Sequence, residues 1–548
     1  MTAQRSVAAA AIATAHPLAT QAGREILEQG GNAFDAAVAA AAALAVVEPA
    51  GSGLGGGGFW LLHRASDGFE TMVDARERAP LAAHADMYLD KDGNPVRRLS
   101  LDGPLAAAIP GTPAALVHVN QRYGRLSLAH TLAPAIRLAR QGFAVTPRYR
   151  RGARRRLQAL RAGPAAAAVF LEDGGVPKEG FVVHQPALAE VLTRITEHGR
   201  DGFYRGVVAQ RLVDGVRAAG GIWTLRDLRA YQIVERSPVR GRYHNMRLTS
   251  AALPSSGGVV LVEMLNILQG FDIERLQRAT RTHLIIEAMR RAYRDRAAYL
   301  GDPDFVAVNT KRLLDPAYGA ALAATINPKG ATPSDALPAL DAGWGGGTQT
   351  THFSIIDNEG NRVATTLSIN TGFGSGFVSP GTGVLLNNEM DDFVVKPGVP
   401  NAYGLVGSEA NAIAAGKRPL SSMTPTFLET PDTVIVLGTP GGSRIITMVL
   451  LAALEFAAGR GEPKDWVTLR RFHQQYLPAG VSYERGALGV HEIAQLRQMG
   501  HQLTARSHLY GNMQIVAWYR EQNELLAASD PRGEGLAWVG TVRAAAVH

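Results

Sequence analysis

The sequence predicts an α+β fold in which helices pack outside stacked antiparallel sheets. Three observations carry this reading. Strand-like segments cluster on both sides of a break at 331–347, "ATPSDALPALDAGWGGG", where proline and glycine dominate and nothing periodic survives. Long segments with apolar residues at three- and four-residue intervals flank those strands. "FWLLHRA" and "FETMVDA" read as the two arms of a hairpin. At 548 residues the chain is long enough for several domains or for one large layered fold.

Taken in order, "MTAQRSVAAAAIATAHPLAT" sets one arginine before an alanine-rich stretch, a faint imitation of a signal peptide. It lacks a Leu/Phe-rich segment and is read as a first core strand. "TQAGREILEQGGNAFDAAVAAAAALAVVEP" predicts a helix ended by Gly30 and Gly31, then a very apolar second helix. The run 36–47 is too short to span a bilayer, so that helix is buried and no membrane span is expected. "SLAHTLAPAIRLARQGF" and "RTHLIIEAMRRAYRDRAAYL" have helical periodicity. Beyond the break, "THFSIID", "NRVATTLSIN", "GVLLNNE", "PTFLE" and "TVIVLG" read as strands, and "RIITMVLLAALEFAAG" as a helix.

Composition narrows the chemistry. With no cysteine, disulfides, thiolate nucleophiles and cysteine-held metals are excluded. Histidines are scattered without H-E-x-x-H or comparable spacing, so no metal and no cofactor are expected. The formal charge is +8, with its basic density in "PRYRRGARRRLQALRAG" at 147–163. That segment reads as a solvated helix face. Tyr149 alone could stack on a base and no nucleic-acid module surrounds it, which leaves only general attraction to anions.

Several motifs bear on function. "GSGLGG" at 51–56 satisfies G-x-G-x-x-G, but Pro49 precedes it and the strand-like "GFWLLH" follows, the reverse of a dinucleotide site. A tight backbone turn explains its glycines. "VIVLGTPGGSRIITMVLL" runs strand, glycine turn, helix, and lacks the lysine of a P-loop. Gly441 and Gly442 would present N–H groups at a helix N-terminus, where they suit a developing oxyanion. Polar residues stand among apolar ones: Arg76 in "VDARERAP", Ser368 and Asn370 in "TTLSINTGFG", Glu389, Asp391 and Asp392 after "VLLNN", Ser421 and Ser422 in "KRPLSSMTP". Buried charges need partners, so an internal ion-pair network accounts for them. So does a pocket with a cation and hydroxyls at one end and carboxylates at the other, complementary to the α-carboxylate and α-ammonium of an amino acid.

"GGGTQTTHFSIIDNEGN", 345–361, is the most unusual stretch: three glycines, then Thr348, Gln349, Thr350, Thr351 and His352, entering a strand. His352 beside the threonines invites a Thr–His pair, but is read as structural.

These residues, in this order and spacing, resemble the γ-glutamyltranspeptidase (glutathione hydrolase) family of N-terminal-nucleophile hydrolases. The resemblance runs nearly end to end. It rests most on "TTHFSIID", "LLNNEMDDF", "KRPLSSMTPT" and "GTPGGSRII", with "EPAGSGLGGGGF", "PSSGGVVLVEMLNIL", "RRFHQQYLP" and "ASDPR" around them. It implies a four-layer αββα sandwich and a precursor that cuts itself between Gln349 and Thr350. The large subunit would be 1–349 and the small subunit 350–548, a heterodimer intertwined in one domain. It further implies Thr350 as nucleophile, Gly441 and Gly442 as oxyanion hole, and Thr351 and Ser368 as supports of the nucleophile. Arg76, Ser421 and Ser422 would hold the substrate α-carboxylate, and Asn370, Glu389 and Asp392 its α-amino group. Tyr403, in "KPGVPNAYGLVG", resembles the tip of a lid loop. Glu389 departs from a glutamine found in some members, Ser368 from a threonine, and "NTGFG" from "NTTFG".

The implied substrates are γ-glutamyl compounds such as glutathione, with water or an amino acid or peptide as acceptor. Once freed, the Thr350 α-amine, ordinarily of pKa about 7.7–8.0, could serve as base to its own hydroxyl. The same scaffold also suits a cephalosporin or glutaryl acylase, or transfer of poly-γ-glutamate. An uncleaved amino-acid-binding protein would use the pocket without chemistry. The resemblance implies a periplasmic or extracellular address, and a genuine signal-less start a cytoplasmic one.

Overall fold

Alternation along the central strands sorts their side chains into separate cores. In the computed structural model, which describes residues 9–334 and 350–542, Ala11, Ala13, Leu61, Ile356 and Ala364 point one way. They pack on Phe427, Val434, Val436, Val516 and Trp518 of a second sheet. The intervening residues Ile12, Trp60, Leu62, Phe353, Ile355 and Val363 point the other way, onto the helix Ala33–Val47 and its neighbours. Leu428, Ile435, Leu437 and Ile515 of the second sheet pack under the helices Gly257–Leu268, Arg278–Tyr299 and Arg444–Ala457. Two sheets with helices outside both make the four-layer αββα sandwich. Because both faces of each sheet are covered, trimming one of these buried leucines or isoleucines to alanine costs about 2–5 kcal/mol.

The first sheet has the order Leu536–Gly540, Ala10–Thr14, Thr351–Ile356, Arg362–Ser368, Gly57–Arg64, Phe69–Ala75, Val234–Arg236, every pair antiparallel. The second runs Glu524–Ser529, Gln514–Tyr519, Thr433–Gly438, Thr426–Glu429, Met246–Ser250, Val239–Tyr243, also antiparallel. Strands from before and after the 331–347 break therefore share both sheets, interleaved in the first and lying side by side in the second, where Thr426–Glu429 pairs with Met246–Ser250. The N-terminal segment is a core strand, Ala10–Thr14, second in the first sheet between Leu536–Gly540 and Thr351–Ile356. The hairpin is Gly57–Arg64 with Phe69–Ala75.

The apolar helix starts at Asn32, whose side chain accepts from the N–H groups of Phe34 and Asp35 while Asp35 accepts from Asn32 N–H, a reciprocal cap. Its alanines let it lie close against the sheet, and all fifteen of its residues are buried. No helix among the described residues is long and apolar enough to cross a membrane.

Two expectations are corrected. "GVLLNNE" forms no ladder strand: Leu385 and Leu386 make isolated bridges, and the Asn387 amide takes over, donating to the carbonyls of Gly55 and Ala108 at 2.7 Å each. The basic segment 147–163 is two helices, Pro147–Arg155 and Leu157–Ala162, broken at Arg156.

Candidate active site

Thr350 stands immediately before the strand Thr351–Ile356 and is 3% exposed. Its neighbour across the sheet is the end of the strand Arg362–Ser368, so that Thr350 Oγ1 lies 3.5 Å from Ser368 Oγ, a long and weak contact. Ser368 Oγ accepts at 2.7 Å from the N–H of Asn370, a residue in the left-handed region with φ of 71°. The preceding Gly56 must be glycine here, because a Cβ would sit 2.0 Å from the Ser368 carbonyl oxygen. This close approach is the role that "GSGLGG" serves.

Thr350, Ser368, Asn370, Glu389, Asp392, Tyr403, Ser421, Ser422, Gly442 and Arg76 all line one cavity of about 20 Å³. The space admits about one water. Tyr403 closes it: the ring packs on Gly442, whose φ is 58° and whose Cβ would clash with the ring at 2.3 Å. The Tyr403 hydroxyl donates to the Asn370 carbonyl at 2.8 Å.

Of the two charge layouts the sequence left open, the ion-pair network is the one the contacts show. Arg76 and the acids do not occupy opposite ends of the pocket. Arg76, fully buried, donates from Nη1 to Glu389 at 2.7 Å, from Nη2 to Asp392 at 2.5 Å, and from Nε to the Pro419 carbonyl at 3.1 Å. Glu77 stands 3.5 Å away on the same guanidinium. Burial acts to lower the Arg76 guanidinium, yet Glu389, Asp392 and Glu77 outweigh it and raise it above the ordinary arginine range. Burial pushes the Glu77 carboxyl up to about 8 against the pull of Arg76, and raises Glu389 well above the usual carboxylate range. Two buried acceptors on the cavity wall, Asn370 Oδ1 and Glu389 Oε1, have no hydrogen-bond partner among the described residues.

A second cation was not read from the sequence. Arg296, on the helix Arg278–Tyr299, lines the cavity and donates to Ser422 Oγ at 3.1 Å and Ser256 Oγ at 2.9 Å. Burial lowers it to about 10. That helix is rich in arginine, and only the fold selects which one faces inward.

The strand Thr433–Gly438 leads through Gly441 and Gly442 into the helix Arg444–Ala457. Neither glycine's N–H donates to another group among the described residues. Gly441 adjoins the cavity without lining it.

Three residues stand apart from the cavity. Thr351 turns its hydroxyl to the buried Glu48 carboxyl and makes no well-aligned hydrogen bond among the described residues, so it does not support Thr350 by a direct side-chain bond. His352 lies between the sheets, 2.8 Å from Thr366 Oγ1 and 3.1 Å from Ser354 Oγ, and burial lowers it to about 3, which keeps it neutral. Asp391 accepts from Ser100 Oγ at 2.7 Å and from Ala402 N–H at 2.8 Å, tethering the Tyr403 loop. Gln349 lies outside the described residues.

His283, Glu287 and His501 also converge, though not at this cavity. The imidazoles bond each other at 2.7 Å. Arg290, Arg291 and Thr332 N–H occupy both Glu287 oxygens. His283 Nε2 bonds the Asn327 carbonyl at 2.9 Å, and His501 Nδ1 has no hydrogen-bond partner among the described residues.

A model of the gamma-glutamyltranspeptidase family matches residues 19–539. The chain is 45% identical over 489 residues to a glutathione hydrolase proenzyme of Pseudomonas sp. (strain A14), covering 87% of this chain and 83% of that one. It is 40% identical over 525 residues to the glutathione hydrolase proenzyme of Escherichia coli (strain K12), covering 95% and 90%. A crystal structure of cephalosporin acylase from Bacillus halodurans superposes with a TM-score of 0.86 at 28% identity, covering 97% and 96%.

Proposed function

The chain belongs to the gamma-glutamyltranspeptidase family, and we propose that it is a self-processing γ-glutamyl hydrolase and transferase, acting on glutathione and related γ-glutamyl compounds. In this reading the precursor cuts between Gln349 and Thr350 into a large subunit, 1–349, and a small subunit, 350–548, that stay together as a heterodimer. The freed Thr350 α-amine takes the proton of its own hydroxyl. The hydroxyl oxygen attacks the γ-carbonyl, and β-branching at threonine restricts χ1 and so aims it. Gly441 and Gly442 N–H groups receive the negative charge that develops on the carbonyl oxygen. The amine then returns its proton to the leaving nitrogen, and water or an amino acid or peptide amine resolves the acyl-enzyme.

The observation that carries this reading is the pair of orphaned buried acceptors, Asn370 Oδ1 and Glu389 Oε1, in the cavity that holds the Thr350 hydroxyl. An α-ammonium group supplies the donors they lack, with Asp392 beside them. Its charge also favours the ionised form of Glu389, which burial disfavours. Arg76 and the Ser421 and Ser422 hydroxyls, backed by Arg296, take the α-carboxylate. Tyr403 gates entry, since nothing larger than water fits beneath it. Ser368 orients Thr350, while Thr351 acts from the far face of its strand, packing beside Glu48.

A glutaryl acylase, suggested by the likeness to cephalosporin acylase, shares the nucleophile. Its acyl group has no ammonium and would leave both acceptors unpaired, at about 1–3 kcal/mol each. The test is N-terminal sequencing of the smaller fragment, expected to begin at Thr350, with rates on glutathione against glutaryl-cephalosporin, glutathione being preferred. Thr350→Ala should stay uncut and inactive. Full activity from an unbroken chain, or cleavage of Thr350→Ala at the same bond, would refute the mechanism.

A further inference from the structure

A second cavity, about 530 Å³, opens on the other side of the glycine turn. Pro440 lines it, and Gly442, two residues on, lines the cavity of Thr350. The backbones of Gly441 and Gly511, one beside each space, pack against the same Met448 side chain. Arg148, Arg151, Arg155, Arg506, Arg532 and His508 line this larger space, and no acidic side chain does.

Its arginines are not equally committed. Arg148 has Glu48 at 3.4 Å, and Arg532 is held by Glu484 at 2.8 Å and Asp530 at 3.1 Å. Arg151, Arg155 and Arg506 have no ion pair and no side-chain hydrogen bond among the described residues. Positions 148, 151 and 155 recur at helical spacing, so the helix Pro147–Arg155 turns one basic face to the cavity. That arrangement works against the helix itself. Arg151 and Arg155 are like charges four residues apart, and the first turn carries no acid to complement the helix dipole. A concave wall of uncompensated guanidiniums is instead suited to carboxylates, which it attracts through focused field lines and can bind in forks.

We propose that this cavity is the subsite for the leaving side of the acyl donor, selecting γ-glutamyl peptides that carry one or more carboxylates beyond the scissile amide. The inference rests on the γ-glutamyl reading of the Thr350 cavity and adds what lies across the bond from it. Donors with two carboxylates there bind better than those with one, and neutral leaving groups gain nothing from the cavity.

The experiment compares hydrolysis of γ-glutamyl-p-nitroanilide, neutral on its leaving side, with that of γ-glutamyl-3-carboxy-4-nitroanilide, which carries a carboxylate. Processed wild type, Arg155→Glu and the charge-matched Arg154→Glu are assayed without acceptor, Arg154 being on the same helix but outside the cavity lining. Arg155→Glu should lower kcat/KM for the carboxylated donor on the order of tenfold relative to the neutral one, and Arg154→Glu less than about twofold. Added salt should shrink the preference of wild type for the carboxylated donor. An equal donor ratio in the two variants overturns the subsite while leaving the γ-glutamyl reading intact. Hydrolysis of neither donor by wild type overturns both.

Discussion

Replacing Arg76 by lysine separates charge from geometry at the centre of the cavity. Arg76 forks between Glu389 at 2.7 Å and Asp392 at 2.5 Å, with Nε held by the Pro419 carbonyl at 3.1 Å. An ammonium on a flexible stem keeps the positive charge but reaches only one of those carboxylates well. One charge-assisted hydrogen bond is lost, worth about 1.5–3 kcal/mol. At 1.4 kcal/mol per decade, that corresponds to about 10- to 140-fold in affinity if all of it falls on the substrate. Arg76 touches neither Thr350 nor the glycine turn in the contacts described, so the loss is uniform across ground and transition states. The expected result with γ-glutamyl-p-nitroanilide is a rise of KM within that range and a kcat within about threefold of wild type. The variant should still be cleaved into two fragments. A collapse of kcat at unchanged KM would refute the reasoning, because it would place Arg76 at the reacting atoms.

Two further outcomes follow from the loop that carries Tyr403. Tyr403→Phe removes the 2.8 Å bond to the Asn370 carbonyl, a contribution of about 0.5–1.5 kcal/mol, and should speed amide exchange across 399–405 by about two- to twelvefold; unchanged exchange there would mean the hydroxyl does not hold the loop. Asp391 supplies a pH dependence: burial pushes its carboxyl up to about 7, whereas an unfolded aspartate titrates near 3.9. The closed loop thus binds an extra proton, so this stabilisation is complete below about pH 4 and is lost as pH rises through about 7. Intrinsic-rate-corrected exchange at Ala402 should be faster at pH 8 than at pH 6 in wild type and flat in Asp391→Asn, and a flat wild-type profile would contradict it.

What could be read from the sequence follows from where information is local. The hairpin, the buried alanine helix and the glycine turn before "RIITMVLL" are specified by neighbouring residues, and each forms as expected. "GVLLNNE" misleads because its apolar run resembles a strand while Asn387, by bonding Gly55 and Ala108, replaces the ladder. Arg296 goes unseen because burial of one arginine among several on a helix depends on distant serines. The contact of Arg76 with both carboxylates was likewise invisible, since residue types announce a charge cluster but not which members touch. The place of Ala10–Thr14 between Thr351–Ile356 and Leu536–Gly540 joins segments hundreds of positions apart, with no local mark of that pairing.

That last placement governs what a break before Thr350 would do to the molecule. A strand from the front of the chain is stitched on both edges to strands from the back, so neither piece owns a complete sheet. Severing the backbone there would liberate a chain end but not a partner: the fragments could part, or be traded between molecules, only by melting the whole. Nicked enzyme should accordingly unfold in one cooperative step, as indivisible as the uncut protein.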